Sequence, residues 1–593
     1  MKDRNPFIYN FLTAYSQSER STGGTRGYDP NTYVDTKLDI SLTPIIFKPT
    51  TKLVILTGNA GDGKTAFIQR IENKSNNEEA SFTKKKDNGS LFQLNNIIYE
   101  TLYDGSQDFE GTKNDAVLAS FFNAFEGDKP PEGNLTKIIA INEGRLRDFI
   151  FFKSQYKWLG NQVHHYLENE NYKLHESLIF VNLNLRSVVG CDRNSSIFDD
   201  LLDKILDIDD AYGFWEPCKS ENCSYADKCY IKYNIDNLRD LIKGPKIRDR
   251  LRLLLLVLHF RKIRHITMRD LRSALSFILF NKYTCEQLQK DIDEKCSIVD
   301  RFYYNAAFNS QEYDRIIKIL SEIDVAAATN PKLDNLIYFH EPENPKIQSL
   351  LISGENKYST DISYLNDLFN SKPEGTEDKD IVRFNNAKIY HSSMRRKLFF
   401  EGEEALLQHA DLPGWKELLP YHQFDRFINT IIKGTDSGGI LRNELTLAIS
   451  KSEGIYNDNV GIENVCIRTT SGRHTEVKAF YIFSASEFEV VVKDIGEQSA
   501  FLEYLPNCLY YRHVDNKAIL EIPLDLFEIL FCIRDGYVPT VSEMRNFFIN
   551  LEMFKRHVAS KSSARIILTE DDTSLFEIKR DLSQRIIMAK LGG

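Results

Sequence analysis

Cysteine is sparse: nine in 593 residues, unevenly placed. That is too few for a disulfide scaffold, and it points to a reducing cytoplasm. No apolar run reaches the ~18 residues that a membrane-spanning helix needs. The greasiest stretch, LRLLLLVLHF at 251–260, has charge on both sides and is expected to be a buried helix. The opening residues, MKDRNPFIYNFLTAYS, are too polar for a signal peptide. Excess positive charge is missing too: 75 Lys and Arg against 85 Asp and Glu leave −10. This excludes a globally basic nucleic-acid coat but not a local basic groove. It also argues against tight nonspecific DNA binding by the lone chain. Repeats and low-complexity tracts are absent. So are the usual nuclease patterns: no PD-(D/E)xK strand, no HNH run and no paired-His metal motif.

Core material is ample. Hydrophobic residues make up 42% and aromatics 12%, with 38 Phe and 28 Tyr, which rules out disorder for most of the chain. At ~150 residues per domain the length implies two to four domains. Residues 1–50 are polar and turn-rich and are expected to form an arm. From residue 51 to 195 strand-like runs (53–57, 97–103, 137–141, 177–183) alternate with helical ones (115–125, 156–169). Such alternation predicts an α/β core, a parallel sheet with helices on both faces. Residues 196–355 hold a cysteine-bearing insert and then a mainly helical region. The polar, acidic stretch 355–380 suggests a linker. Residues 381–593 mix helical and strand patterns, a further α+β region.

The strongest motif is Gly58-Asn59-Ala60-Gly61-Asp62-Gly63-Lys64-Thr65, followed by Ala66. It fits GxxxxGK[ST] between a strand and a helix, the phosphate-binding P-loop pattern. Glycines let successive N–H groups point inward, and the helix N-terminus adds partial positive charge. Lys64 is expected to reach the β- and γ-phosphates, and Thr65 to offer its hydroxyl to Mg²⁺. No Asn-Lys-x-Asp signature for guanine lies at a suitable strand end, so ATP is favoured.

Hydrolysis needs a carboxylate on the metal side and another to orient the attacking water. Two strand ends qualify. The preferred one is KIIAI-Asn142-Glu143, with Glu143 as the water-orienting base and Asn142 in place of the metal-side Asp. On the other reading, Asp104 after IIYETLY is the metal-side acid and Asn142 senses the γ-phosphate. Downstream, the pair Arg395 and Arg396 offers either an arginine finger or a phosphate contact, against the commoner solvated charged face.

Four cysteines fall within 191–229: Cys191, Cys218, Cys223 and Cys229. The last three form a C-x4-C-x5-C run. In a cytosolic chain this suggests a structural Zn²⁺ with Cys191 as fourth ligand, in preference to an Fe–S cluster.

Taken together, GNAGDGKT, YDGSQD, IIAINEGRLRDF, VNLNLRS, the cysteine run and HITMRDLRSAL resemble the AAA-like P-loop ATPases of bacterial anti-phage defence loci. The nearest type is the ATPase of phosphorothioation-dependent DNA restriction (the DptF type). The resemblance covers roughly 50–280. It implies a P-loop NTPase, AAA-like, with a helical lid. Arg269 would be the lid arginine that reaches the γ-phosphate, and Asn184 would fall at the sensor position. It also implies an ATP-driven, homo-oligomeric subunit working with other defence proteins, a nuclease or helicase among them, on foreign DNA.

Overall fold

The run Leu53–Thr57 (β1) is buried along its whole length, as an inner strand of a sheet covered on both faces must be. The computed structural model describes the chain apart from residues 1–3, 21–30, 152, 170–171, 263–264, 310–313, 356–359, 371–378, 435, 437, 470–476, 516–517, 546, 561–562, 564, 571–573, 582 and 592–593. It divides into two compact units. One comprises residues 1–256, 264–420 and 495–505; the other comprises 257–263, 421–494 and 506–593.

The first unit is built on a six-stranded mixed sheet. Its further strands are β2 (Ser81–Lys86), β3 (Gly89–Leu94), β4 (Ile97–Leu102), β5 (Leu135–Ala140) and β6 (Leu178–Asn182). The order is β2-β3-β4-β5-β1-β6. Strands β4, β5, β1 and β6 are parallel, as the β/α alternation predicts. The β2–β3 and β3–β4 pairs are antiparallel hairpins. These two extra strands fall where Lys, Asn and Gly interrupt the apolar pattern, so hydrophobic periodicity gives no signal for them.

Alternate residues feed the two faces. Val54, Leu56, Ile138 and Ala140 pack with Phe67, Ile68 and Ile71 of the helix Lys64–Asn77. Leu53, Ile55, Ile139 and Phe180 pack with the aromatic helices Asn114–Phe122 and Lys157–Glu168. The expected arm is largely core: Phe7, Ile8 and Phe11 of the helix Pro6–Arg20, then Leu38, Leu42 and Ile46, are buried. Turn-rich composition around 21–30 hid these short apolar spacings. The expected linker at 355–380 contains the helix Thr360–Asn370, which buries Asp361, Ile362 and Leu365; its flanks at 356–359 and 371–378 lie outside the described residues. In residues 196–350 the regular elements described are all helices, joined by turns and loops.

The second unit carries two antiparallel sheets. Strands β7 (Asn464–Arg468), β8 (Lys478–Ser484), β12 (Arg565–Thr569), β13 (Leu575–Arg580) and β14 (Ile586–Leu591) form one, in the order β14-β13-β12-β8-β7. Strands β9 (Phe488–Val492), β10 (Leu509–His513) and β11 (Ile519–Ile522) form the other. The boundary between long segments falls after Pro420, beyond the expected 381. Among the described residues no helix is long and apolar enough to cross a membrane.

Candidate functional site

The parallel strands end level with one another. Leu56 pairs with Ala140 on one side and Val181 on the other, and Thr57 pairs with Asn182. The chain then turns through Gly58–Gly63 into the helix that starts at Lys64. Gly63 stands at φ +90° as the residue before that helix, and Gly61 at φ +100°. A Cβ on Gly61 would lie 2.8 Å from Arg269 Cβ, so position 61 demands glycine twice over.

Lys64 folds back over this loop. Its Nζ donates to Gly58 O at 2.8 Å and to Asn59 O at 2.7 Å. Burial lowers its pKa, opposed by the carboxylates of Asp62 and Asp104 and reinforced by Arg186 and Arg269. Asp62 is buried and holds the turn shut: its Oδ2 accepts from Asn59 N at 2.6 Å, and its Oδ1 lies 3.0 Å from His265 Nε2. Arg186 donates to the Asp62 carbonyl, while Arg269 N donates to Gly61 O at 3.2 Å. Thr267 caps the helix Met268–Phe280 through a reciprocal capping box with Asp270. That cap aims the first turn, with Arg269, at the loop.

The two acid candidates lie at different strand ends. Asp104 follows β4, one strand further from β1 than β5 is. Thr65 Oγ1 donates to Tyr103 O at 3.0 Å, so the Thr65 hydroxyl and the residue preceding Asp104 are in contact. Asn88 clamps Asp104 from both sides, accepting from its N at 2.8 Å and donating to its O at 2.9 Å. Asn142 is exposed, and its Oδ1 accepts from Gly144 N at 2.9 Å. It therefore caps the helix Glu143–Phe151. Glu143 is held by Asn182, whose Nδ2 donates to Oε2 at 3.2 Å. Asn184 is exposed, and its N donates to Asn182 Oδ1 at 3.1 Å; its backbone N also lies 3.6 Å from where a Cβ on Gly58 would be.

No family model, curated protein or solved structure matches this chain. The geometry therefore carries the functional reading.

Three cations, Lys64, Arg186 and Arg269, thus share one small volume with the glycine turn. Sequence reasoning found the first and third. Arg186 and His265 were missed because their partners lie 124 and 203 residues away. The pair offered as an arginine finger is internal. Arg395 Nε donates to Asp334 Oδ1 at 2.9 Å, and Arg396 Nε donates to Asp324 Oδ1 at 3.0 Å. Neither is a solvated face or a finger.

Cys218, Cys223 and Cys229 line one cavity, and the fourth cysteine there is Cys285, not Cys191. Cys191 instead neighbours Asp192 and Arg252, and burial pushes its thiol up to about 11.

Proposed function

We propose that this chain binds and hydrolyses ATP with Mg²⁺, through a P-loop NTPase core of the AAA-like kind with a helical lid. The observation that carries the reading is the convergence of Lys64, Arg186 and Arg269 on a glycine turn at the C-terminal edge of parallel strands. That edge, with a helix N-terminus behind it, is where α/β sheets take phosphate. Lys64 would exchange the Gly58 and Asn59 carbonyls for phosphate oxygens. Arg186 braces the turn through Asp62, and Arg269 would face the terminal phosphate. Bound Mg²⁺ would neutralise developing charge on the phosphates, with Thr65 and Asp104 the residues to hold it. The contact of Thr65 with Tyr103 favours Asp104 over Asn142 as the metal-side residue. Glu143 remains the candidate to orient water, with Asn182 as its partner.

The broader setting follows the resemblance drawn from the motifs: a cytoplasmic, homo-oligomeric subunit of an anti-phage defence or DNA restriction complex, coupling nucleotide state to a nuclease or helicase partner on foreign DNA. A second reading, a nucleotide-gated sensor with slow turnover, is favoured by one feature. The residue after Asp104 is Gly105, so no carboxylate follows the metal-side acid directly.

The test is ATP binding by calorimetry and ATP turnover with and without DNA, in wild type, Lys64→Ala, Asp104→Asn and Glu143→Gln. Lys64→Ala should abolish binding. Asp104→Asn should bind but not turn over, and Glu143→Gln should retain ATP. No heat from wild type with Mg-ATP ends the whole reading. Steady multiple turnover excludes the sensor, and indifference to DNA removes the restriction role.

A further inference from the structure

Four cysteines from two separate stretches of chain meet at a cavity of about 20 Å³. Cys218 closes the turn Glu216–Cys218, and Cys223 lies in the loop that follows. Cys229 precedes the helix Tyr230–Arg239, and Cys285 begins the helix Cys285–Asp293. All four are free thiols. We infer that Cys218, Cys223, Cys229 and Cys285 are the ligands of an iron–sulfur cluster of the four-iron type.

Two observations favour a cluster over a single zinc ion. With Zn–S near 2.3 Å, tetrahedral geometry holds four sulfurs at about 3.8 Å from one another. Here no three of the four Sγ atoms lie mutually within 4.8 Å. The set is too wide for one ion, and open space remains between the sulfurs. Second, amide donors already point at three of the sulfurs. Asn5 N donates to Cys285 Sγ at 3.4 Å, Asn5 Nδ2 to Cys218 Sγ at 3.2 Å, and Lys232 N to Cys229 Sγ at 3.4 Å. Such bonds stabilise the negative charge of cluster thiolates and tune their potential. They also fasten the residue preceding the N-terminal helix to the site.

The full chain, purified without oxygen, is assayed for iron, acid-labile sulfide and zinc, and its Mössbauer spectrum is recorded. About four iron and four sulfide per chain are expected, with a broad visible absorption that bleaches on reduction. Cys285→Ser should lose most of the iron, and Cys191→Ser should keep it. Elution volume and circular dichroism show whether each variant is folded; the wild-type spectrum decides the cluster type without any variant. Stoichiometric zinc without iron overturns the inference. So does a wild type that takes up no iron on anaerobic reconstitution with ferrous ion and sulfide, or a cluster that survives Cys285→Ser but not Cys191→Ser.

Discussion

Gly61 and Arg269 touch through backbone and side chain, and each depends on the other. Gly61→Ala would place a methyl 2.8 Å from Arg269 Cβ on a backbone at φ +100°. The expected cost is about 1–3 kcal/mol of stability, with weakened ATP binding, read by denaturant unfolding and calorimetry. Arg269→Ala is gentler. It should leave ATP affinity within a few-fold, since Lys64 and the loop amides remain, yet slow turnover by about a hundredfold, as loss of one charge-stabilising donor does. Equal losses in binding and turnover would remove Arg269 from the transition state. What the sequence allowed at this scale was whatever is local. The glycine turn, Lys64 and Thr65 are contiguous and readable. Arg269 needed only a cap and a helix. Weighing Asp104 against Asn142 as the metal-side residue needed strand order, which no short window encodes. Arg186, His265 and Cys285 needed contacts across long stretches of chain.

The helix Lys64–Asn77 is fixed to the hairpin β3–β4 by one buried carboxylate. Glu72 accepts from Ser90 Oγ at 3.1 Å, Thr101 Oγ1 at 2.5 Å and Tyr103 OH at 2.6 Å. This bracket holds Tyr103, the residue before Asp104, whose carbonyl accepts from Thr65. The helices of the same unit share a second buried network. Glu401, in the helix Lys379–Glu401, is 0% exposed and pairs with Lys243 at 2.5 Å and Lys397 at 2.9 Å. Burial alone would raise its pKa; the two ammonium groups outweigh that and hold it near about 2, against 4.5 ordinarily. The folded state therefore binds fewer protons than the unfolded one. The stabilisation is present above the ordinary carboxylate range and is lost as pH falls toward 2. Glu401→Gln should cost about 3–5 kcal/mol at neutral pH. The gap to wild type should narrow in acid, as urea unfolding at several pH values will read. A pH-independent gap would show that packing, not charge, is lost. Charged residues inside a helix read from sequence as surface, so this network was not legible there.

At the scale of the molecule, connectivity matters most. Strand β6 is an edge of the first unit's sheet, and exposed edges invite unwanted pairing. Gln498 covers it: Oε1 accepts from Asn182 N at 3.1 Å, and Nε2 donates to Phe180 O at 2.5 Å. Leu502 is buried in the same unit's core, and Ser187 N donates to Glu503 O at 2.7 Å. A fragment ending at Pro420 lacks all three residues. It should aggregate or self-pair, and light scattering with nucleotide calorimetry will read this. A monomeric fragment with wild-type ATP affinity would make the cover dispensable.

Residues 495–505 leave β9 of the second unit and return to β10 of that unit. In between they rest on the strand whose Asn182 grips Glu143. The polypeptide is thus sewn along the rim of its own parallel sheet, in the manner of a drawstring. From that stitch to Glu143 the path runs through just two hydrogen bonds, Gln498 to Asn182 and Asn182 to Glu143.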